Sequence, residues 1–340
     1  MASRSPSEAA PAAAQSNMSE IIAITGATGF AGRHAATELL ARGHRLRALV
    51  RDPAKAELPD GIQTIQGDLA DTAALAQLVD GAGAVIHLAG ALTGLKRQHY
   101  FRVNELGTRA LADAAEAARV RRFVHISSLA AREPQLSAYA ASKRAGEEVV
   151  GGRMAALNAI IIRPPAVYGP GDRGTLPLIA ELTRPVAVIP GRREARFSLI
   201  HVRDLARLIA MALTEGGQGV HEVSDGKPGG YGWPELIETG VAFCGRQVIP
   251  MFLPRPVPVT AAWFAELWAW RKRKPGMVNR GKIAELYHPD WVARPDTLVL
   301  ADPIPFAAGF AETVTWYRQA GWLPQVPGKD TRTASSRTSQ

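Results

Sequence analysis

Short apolar runs alternate with longer segments of helical pattern along the first half of the chain. Strands buried on both faces of a parallel sheet read as such runs, so we predict strands at residues 21–25, 46–50, 62–66, 84–88, 123–127 and 159–163. Helices are predicted at 30–42, 71–80 and 98–118, and around Tyr139. This alternation predicts an α/β fold built on a Rossmann-type doubly wound parallel sheet.

The pattern changes after Tyr168, where prolines and glycines become frequent. We predict a nucleotide-binding domain over residues 19–168 and a smaller substrate-binding region over 169–326, with segments such as 197–213 returning to the sheet. Residues 1–18 and 327–340 are predicted to be a disordered leader and tail. No apolar run reaches 18 residues, so we expect a cytoplasmic protein without a spanning helix.

The formal charge of +9 is spread along the chain. Neither zinc-ligand spacing nor an RNA-binding motif accompanies it, so we predict no nucleic-acid partner and no metal site. Cofactor phosphates or a membrane surface would use the same charge. The single cysteine, Cys244, allows no intramolecular disulfide, which fits a reducing compartment.

A glycine-rich turn separates the first predicted strand from the first predicted helix. Its Gly-x-x-Gly-x-x-Gly spacing allows a tight turn, close approach of backbone to a pyrophosphate, and use of the free N–H groups of a helix N-terminus. The turn therefore predicts a dinucleotide site. The residues expected to bind the cofactor there are Gly26, Thr28, Gly29, Phe30 and Gly32.

The end of the second strand selects the cofactor. An arginine there accommodates the 2′-phosphate of NADP, whereas an acidic residue bonds the ribose hydroxyl of NAD. Arg51 is the first residue after the second strand, and Arg33 could assist it in binding the phosphate, so NADP is favoured. Asp52 follows directly, and its carboxylate leaves NAD as the alternative. Asp68 and the adjoining Leu69 follow the third strand. Asp68 is either an acceptor for the adenine amino group or the cap of the next helix.

Tyr139 and Lys143 are four residues apart on a predicted helix, so their side chains share a face. A nearby ammonium is expected to lower the pKa of the phenol, making Tyr139 a general acid/base. Ser128, or alternatively Ser127, ends the fifth strand and could hydrogen-bond a substrate oxygen. Asn104 lies inside the long predicted helix, where asparagine is a mediocre helix former, which favours a functional reason such as bonding backbone or a relay water.

These motifs together resemble the extended short-chain dehydrogenase/reductase family, that is, the NAD-dependent epimerase/dehydratase family. Within it they resemble the 3β-hydroxysteroid dehydrogenase-like and dihydroflavonol reductase-like branch. The matching stretches are residues 25–32, 87–90, 104, 127–128, 139–143, 163–171, 200–206 and 315–323.

The resemblance implies roles for particular residues. Ser128, Tyr139 and Lys143 would form a catalytic triad, and Lys143 would also hold the nicotinamide ribose. Arg163 and Pro164 would lie beside the nicotinamide. The segment Leu88, Ala89 and Gly90 would pass near the adenosine ribose. A homodimer is also common in that family.

The best substrate clue lies in residues 250–274. Trp263, Phe264, Leu267, Trp268 and Trp270 precede a basic run at 271–274. A helix over 259–273 would either pack on the sheet domain or lie at a membrane interface beside a hydrophobic pocket, so peripheral membrane contact through 259–274 stays open.

We therefore expect hydride transfer between nicotinamide and a secondary alcohol or ketone of a sterol-like or polycyclic molecule. Val167 is a candidate substrate contact. The alternatives are a nucleotide-sugar epimerase or dehydratase with tightly bound NAD, in which Arg196 would contact the diphosphate, and a non-catalytic nucleotide-binding scaffold.

Overall fold

The computed structural model describes residues 20–272, 279–294 and 297–325. The strands are β1 (Ile21–Thr25), β2 (Arg45–Val50), β3 (Gln63–Gln66), β4 (Ala82–His87), β5 (Arg122–Ile126), β6 (Ala159–Arg163), β7 (Ala166–Tyr168), β8 (Val186–Ile189), β9 (Arg196–Phe197), β10 (Leu199–His201), β11 (Gly219–Glu222), β12 (Tyr231–Gly232), β13 (Ile249–Phe252) and β14 (Asp290–Trp291). The α-helices are α1 (Phe30–Ala41), α2 (Thr72–Val79), α3 (Arg97–Phe101), α4 (Thr108–Ala117), α5 (Ala138–Gly151), α6 (Leu176–Glu181), α7 (Val202–Met211), α8 (Trp233–Cys244), α9 (Pro256–Lys272), α10 (Arg280–Leu286) and α11 (Phe306–Gln319).

Seven parallel strands form the central sheet, in the order β3-β2-β1-β4-β5-β6-β11. The predicted Rossmann-type fold and all six predicted strands are confirmed. The seventh strand, β11, was not predicted because Gly219–Glu222 is a short edge strand with a single large apolar residue, Val220. The strand order reverses between β1 and β4, which is where open α/β sheets bind ligands.

Two apolar layers cover the sheet. On one face, α1 packs against α7 in a core that includes Leu39, Ile86, Leu205 and Ile209. Helix α7 falls within the stretch 197–213 that was predicted to return to the sheet. On the other face, the core includes residues of α2, α4 and α5. The layers hold the carboxyl ends of β1, β4 and β5 at one rim.

The long helix predicted at 98–118 is interrupted. It consists of α3, a π-helical segment at Arg102–Gly107, and α4. Asn104 sits in the π segment, and its carbonyl accepts a hydrogen bond from the Thr108 hydroxyl at 2.8 Å. Such bulges widen the backbone locally and occur often at functional sites.

The chain from Ala166 onward also builds three small sheets, β7-β10, β9-β12-β14 and β8-β13. They surround an aromatic core that includes Tyr168, Trp233, Phe310 and Tyr317. The predicted division at residues 168 and 169 stays a prediction, and the predicted leader and tail lie outside the described residues. In the described part of the chain, every helix is too short or too polar to cross a membrane.

Candidate active site

A cavity of about 2060 Å³ opens at the carboxyl ends of the sheet strands. This exceeds the roughly 300–1,000 Å³ typical of a pocket for one small ligand. Residues following β1, β2, β3, β4, β5 and β6 line it on one side, and residues of α6, α9 and α10 line it on the other. The space therefore suits a dinucleotide and a second, elongated molecule.

The glycine-rich turn forms one wall of this cavity. Gly26 has φ +76°, and a Cβ there would lie 2.6 Å from the backbone nitrogen of Ala89. A Cβ on Gly32 would lie 2.0 Å from the Gly26 carbonyl oxygen. Gly29 is the N-cap of α1 and has no side chain to satisfy the first-turn N–H groups. Phe30 and Thr28 also line the cavity, so this turn and helix end can accept a pyrophosphate.

The residues predicted to bind the adenosine half of the cofactor divide into two groups. Arg51, Asp68 and Leu69 line the cavity, as do Leu88, Ala89 and Gly90. Asp52 does not, and its carboxylate pairs with Lys55 at 2.7 Å. Arg33 also lies off the cavity wall and pairs with Glu57 at 3.2 Å.

Tyr139 and Lys143 project from α5 into the cavity, and Ser128 faces them from the end of β5. The Ser128 hydroxyl lies close enough to Tyr139 to lower the pKa of the phenol. The Lys143 Nζ donates to the Ile126 carbonyl at 2.7 Å. The structure therefore brings these three predicted residues together, in the same cavity that Arg51 lines.

Burial dominates the titration of this pair. It raises the pKa of Tyr139 to about 12, against the lowering effect of the neighbouring Ser128 hydroxyl. Burial also lowers the pKa of Lys143 to about 8, with the charge of Glu147 acting the other way. The prediction that Lys143 moves the pKa of Tyr139 toward neutrality is wrong for this structure: burial raises the pKa, and the lowering influence comes from Ser128.

Asn104 is buried behind the cavity wall. Its amide accepts from the Ala91 N–H at 2.7 Å and donates to the Ala91 carbonyl at 3.1 Å and to the Ser142 hydroxyl at 2.9 Å. It thus fixes the loop after β4 against α5 by bonding backbone, one of the two roles predicted for it.

Arg163 does not reach the cavity, contrary to the placement that the family resemblance implied. Its guanidinium forms two hydrogen bonds with Glu147, which is 4% exposed. Glu147 also accepts a 2.5 Å hydrogen bond from Ser127. The next residue, Pro164, does line the cavity. A buried carboxylate on α5 therefore holds the arginine away from the ligand space.

Of the two predicted substrate contacts besides Ser128, only Val167 lines the cavity. Arg196 is half exposed and donates to the carbonyls of Gly229 and Gly230 at 2.7 and 2.9 Å, and it lies 3.7 Å from Glu235. These partners direct the guanidinium elsewhere, so its predicted contact with a diphosphate is not supported.

Helix α9 borders the mouth of the cavity. Trp263 and Trp270 line the cavity while 51% and 70% exposed, and Phe264 and Trp268 are each 64% exposed. The helix buries Ala262 against Ile283 and Tyr287 of the α10 segment, not against the sheet. Of the predicted basic run, Arg271 and Lys272 end α9, while 273–274 lie outside the described residues.

Sequence reasoning missed Glu285 of α10. It lines the cavity, is 6% exposed and accepts a hydrogen bond from the Ser137 hydroxyl. In the sequence, Lys282 and Glu285 are three positions apart, the spacing of an ion pair on the exposed face of a helix. Nothing in the neighbouring sequence therefore indicated that the carboxylate is buried. Glu147 was missed for the same reason.

Comparison with known proteins agrees with this geometry. Residues 22–223 match the model of the NAD dependent epimerase/dehydratase family. The chain is 42% identical over 312 residues to a "Ceramide reductase" of Caulobacter vibrioides, covering 90% of this chain and 96% of that protein.

A "3 beta-hydroxysteroid dehydrogenase/Delta 5-->4-isomerase" of Mycobacterium tuberculosis is 29% identical, over 62% of this chain and 63% of that protein. The Bordetella bronchiseptica enzyme WbmH, solved with NAD+, shares the fold with a TM-score of 0.67 and 21% identity, over 89% of this chain and 99% of that one. The predicted resemblance is confirmed: the chain belongs to the NAD dependent epimerase/dehydratase family and is an oxidoreductase or epimerase of the extended short-chain dehydrogenase type.

Proposed function

We propose that this protein reduces a ketone on a long-chain, ceramide-like lipid, using a nicotinamide cofactor. The observation that carries the proposal is that Tyr139, Lys143 and Ser128 share one cavity with the glycine-rich turn. The 42% identity with a ceramide reductase supports the substrate class. Apolar side chains of α6, α9 and α10 that line the cavity, such as Leu178, Trp263 and Leu286, support an elongated lipid.

We favour NADP as the cofactor. Arg51 lines the cavity, and no ion-pair partner for it is found in the described part of the chain. The competing carboxylate of Asp52 is held by Lys55 outside the cavity. Asp68 and Leu69 would then border the adenine, and the turn from Gly26 to Gly32 would hold the pyrophosphate.

Ser128, Tyr139 and Lys143 perform the proton chemistry. When bound, the reduced nicotinamide supplies the hydride that adds to the carbonyl carbon. Ser128 donates a hydrogen bond to the carbonyl oxygen, and Tyr139 transfers its phenolic proton to that oxygen as the alcohol forms. Lys143 holds the cofactor ribose and is positioned by the Ile126 carbonyl. The raised pKa keeps Tyr139 protonated at neutral pH, the state in which it can donate a proton to the carbonyl oxygen.

The exposed side chains of helix α9 support the proposal that the protein takes its lipid substrate from a membrane. Its tryptophans are amphipathic side chains that favour the bilayer interface, and Arg271 and Lys272 are exposed cations beside them. We propose that α9 rests on an anionic bilayer with the cavity mouth facing the lipid. A homodimer and a cytoplasmic location stay predictions.

The experiment compares cofactor consumption with three substrate classes: a long-chain N-acyl amino ketone, a steroid ketone and a UDP-sugar. We expect stoichiometric NADPH oxidation with the lipid ketone. Tyr139→Phe should lower kcat by about 10²–10⁴-fold while NADP still raises the melting temperature. Interconversion of the UDP-sugar without net oxidation would contradict the proposal in favour of an epimerase. Stabilisation by the cofactor without turnover of any class would favour a scaffold.

A further inference from the structure

A buried carboxylate faces the reacting end of the cavity from the C-terminal region of the chain. Glu285 of α10 lines the same cavity as Tyr139 and is 6% exposed. Its charge lies close enough to contribute to the raised pKa of Tyr139. An ionised group in such a place carries a large desolvation cost unless its oxygens are hydrogen-bonded.

The position of Glu285 is set relative to the catalytic helix. The Ser137 hydroxyl donates to Oε1 of Glu285, and the same hydroxyl oxygen accepts from the Ala140 N–H at 2.9 Å as the N-cap of α5. A Cβ on Gly281 would lie 2.8 Å from the Ser137 Cβ, so glycine at this position allows α10 to approach closely. The carboxylate of Glu285 is therefore held by Ser137, the residue two positions before Tyr139 in the chain.

The hydrogen-bonding capacity of Glu285 is not filled by these contacts. A carboxylate offers about four acceptor positions. Ser137 occupies one on Oε1, and the Lys282 Nζ lies 3.2 Å from Oε2. The other acceptor positions of the Glu285 carboxylate are not used by these two contacts. Because Glu285 lines the cavity, a hydrogen-bond donor on a ligand could fill one of them.

We propose that Glu285 accepts a hydrogen bond from a hydroxyl or amide N–H on the carbon next to the reacting carbonyl, and so selects amino-alcohol lipids. This inference rests on the proposed function. Of the other α10 side chains that line the cavity, Arg280 and Lys282 are donors and Ile283 and Leu286 are apolar, so Glu285 is the acceptor that this helix offers to a donor. A steroid ketone without a donor beside its carbonyl would leave the acceptor positions not used by Ser137 and Lys282 unfilled, and would bind less well for that reason.

The test uses two matched lipid ketones, one with the N–H and hydroxyl next to the carbonyl and one with methylene groups in their place. Wild-type protein should prefer the first by about 100-fold in kcat/KM, the ratio expected for a hydrogen bond to a charged group. Glu285→Ala should reduce the preference to within a few-fold by selectively slowing the donor-bearing ketone. Glu285→Gln, which keeps one acceptor oxygen without the charge, should give an intermediate preference.

Glu266→Gln is the matched control, because Glu266 also lines the cavity but pairs with Arg280 at 2.9 Å. It should leave the preference unchanged. Melting temperature and its shift with NADP check that each variant is folded and binds cofactor. Equal losses for both ketones in Glu285→Ala and Glu285→Gln would overturn the inference and assign Glu285 a structural role.

A binding measurement separates this inference from the proposed function. NADP-loaded protein is titrated with the alcohol forms of the two lipids, followed by tryptophan fluorescence. A preference for the donor-bearing lipid that disappears in Glu285→Ala would support the inference even if no ketone is reduced. Equal affinity of wild-type protein for both lipids would overturn it even if both ketones are turned over.

Discussion

The guanidinium of Arg163 forms two hydrogen bonds, 2.8 and 2.6 Å long, with the buried carboxylate of Glu147. Breaking a buried ion pair costs about 3–5 kcal/mol. Glu222 also lies 3.7 Å from this guanidinium, which places the expected cost at the lower end of that range. We expect Glu147→Gln, which retains one acceptor, to lower the free energy of unfolding by about 3 kcal/mol in urea denaturation. The exposed neighbour Glu148 is the control, and Glu148→Gln should change it by less than about 0.5 kcal/mol. Equal losses in both variants would contradict the expectation.

Alanine substitutions of the two adjacent serines at the end of β5 should have different effects, one on catalysis and the other on stability. Ser128 lines the cavity beside Tyr139, so Ser128→Ala should lower kcat by about 10²-fold, as expected for loss of one donor to a developing oxyanion. Ser127 donates to Glu147, so Ser127→Ala should cost about 1 kcal/mol of stability and leave kcat within a few-fold. Steady-state kinetics and urea denaturation of both variants measure this. A larger loss of kcat in Ser127→Ala would reverse the assignment.

Gly26 should be essential for cofactor binding because both its φ of +76° and its contact with Ala89 exclude a side chain. We expect Gly26→Ala to abolish the rise in melting temperature that NADP causes in the wild type. Gly43 provides the control, since its φ is +83° but a Cβ there would meet nothing within 4 Å. Gly43→Ala should lose roughly 1–2 kcal/mol from backbone strain and keep its response to NADP. An NADP response retained by Gly26→Ala would show that the turn is not the phosphate site.

His125 should make the protein sensitive to acid. Its ring is buried, its ring nitrogens lack hydrogen-bond partners among the described residues, and it lies 5.2 Å from the ring of His87. Burial, with the charge of Lys143, holds the pKa of His125 well below its usual value. The unfolded chain takes up a proton below about pH 6.5 that the folded protein does not, so stability is present above that pH and falls as the pH decreases toward the folded pKa.

The expected loss is about 1.4 kcal/mol per pH unit from this residue. His125→Leu should remove that contribution, so its free energy of unfolding should decline less steeply than that of the wild type between pH 6.5 and about 4.5. Urea titrations across this range measure the two slopes. His87, whose pKa burial lowers to about 3, should maintain part of the decline in both proteins. Identical slopes would mean that His125 is protonated in the folded state.

The exposed aromatic residues of α9 should bind an anionic bilayer. We expect the double variant Trp268→Ser, Trp270→Ser to lose most of its co-sedimentation with phosphatidylglycerol vesicles, because both indoles are more than half exposed. Vesicles of phosphatidylcholine alone should bind the wild type more weakly, and added salt should weaken binding to the anionic vesicles. Val299→Ser, at a 46% exposed apolar residue outside α9, is the control and should bind like the wild type. Unchanged binding of the double variant would exclude α9 as the contact.

The local features of the nucleotide-binding half could be predicted because they are written in short stretches of sequence. A run such as 21–25 forms a strand wherever both its faces are buried, and the glycines at 26, 29 and 32 permit a turn that other residues do not. Tyr139 and Lys143 share a face because they are four positions apart on one helix. These relationships depend on neighbours in the chain, so periodicity and turn chemistry were sufficient.

Other relationships were decided by packing between distant segments. Ser137 and Glu285 are 148 positions apart, and only the docking of α10 onto the start of α5 brings them together. The same holds for Arg196, directed to the Gly229 and Gly230 carbonyls, and for β11, a polar edge strand that pairs with β6. A charged residue looks the same in sequence whether water or a buried partner satisfies it. The sequence by itself thus determined the sheet, the phosphate turn and the pairing of phenol with amine, and the tertiary structure decided which charges face the cavity.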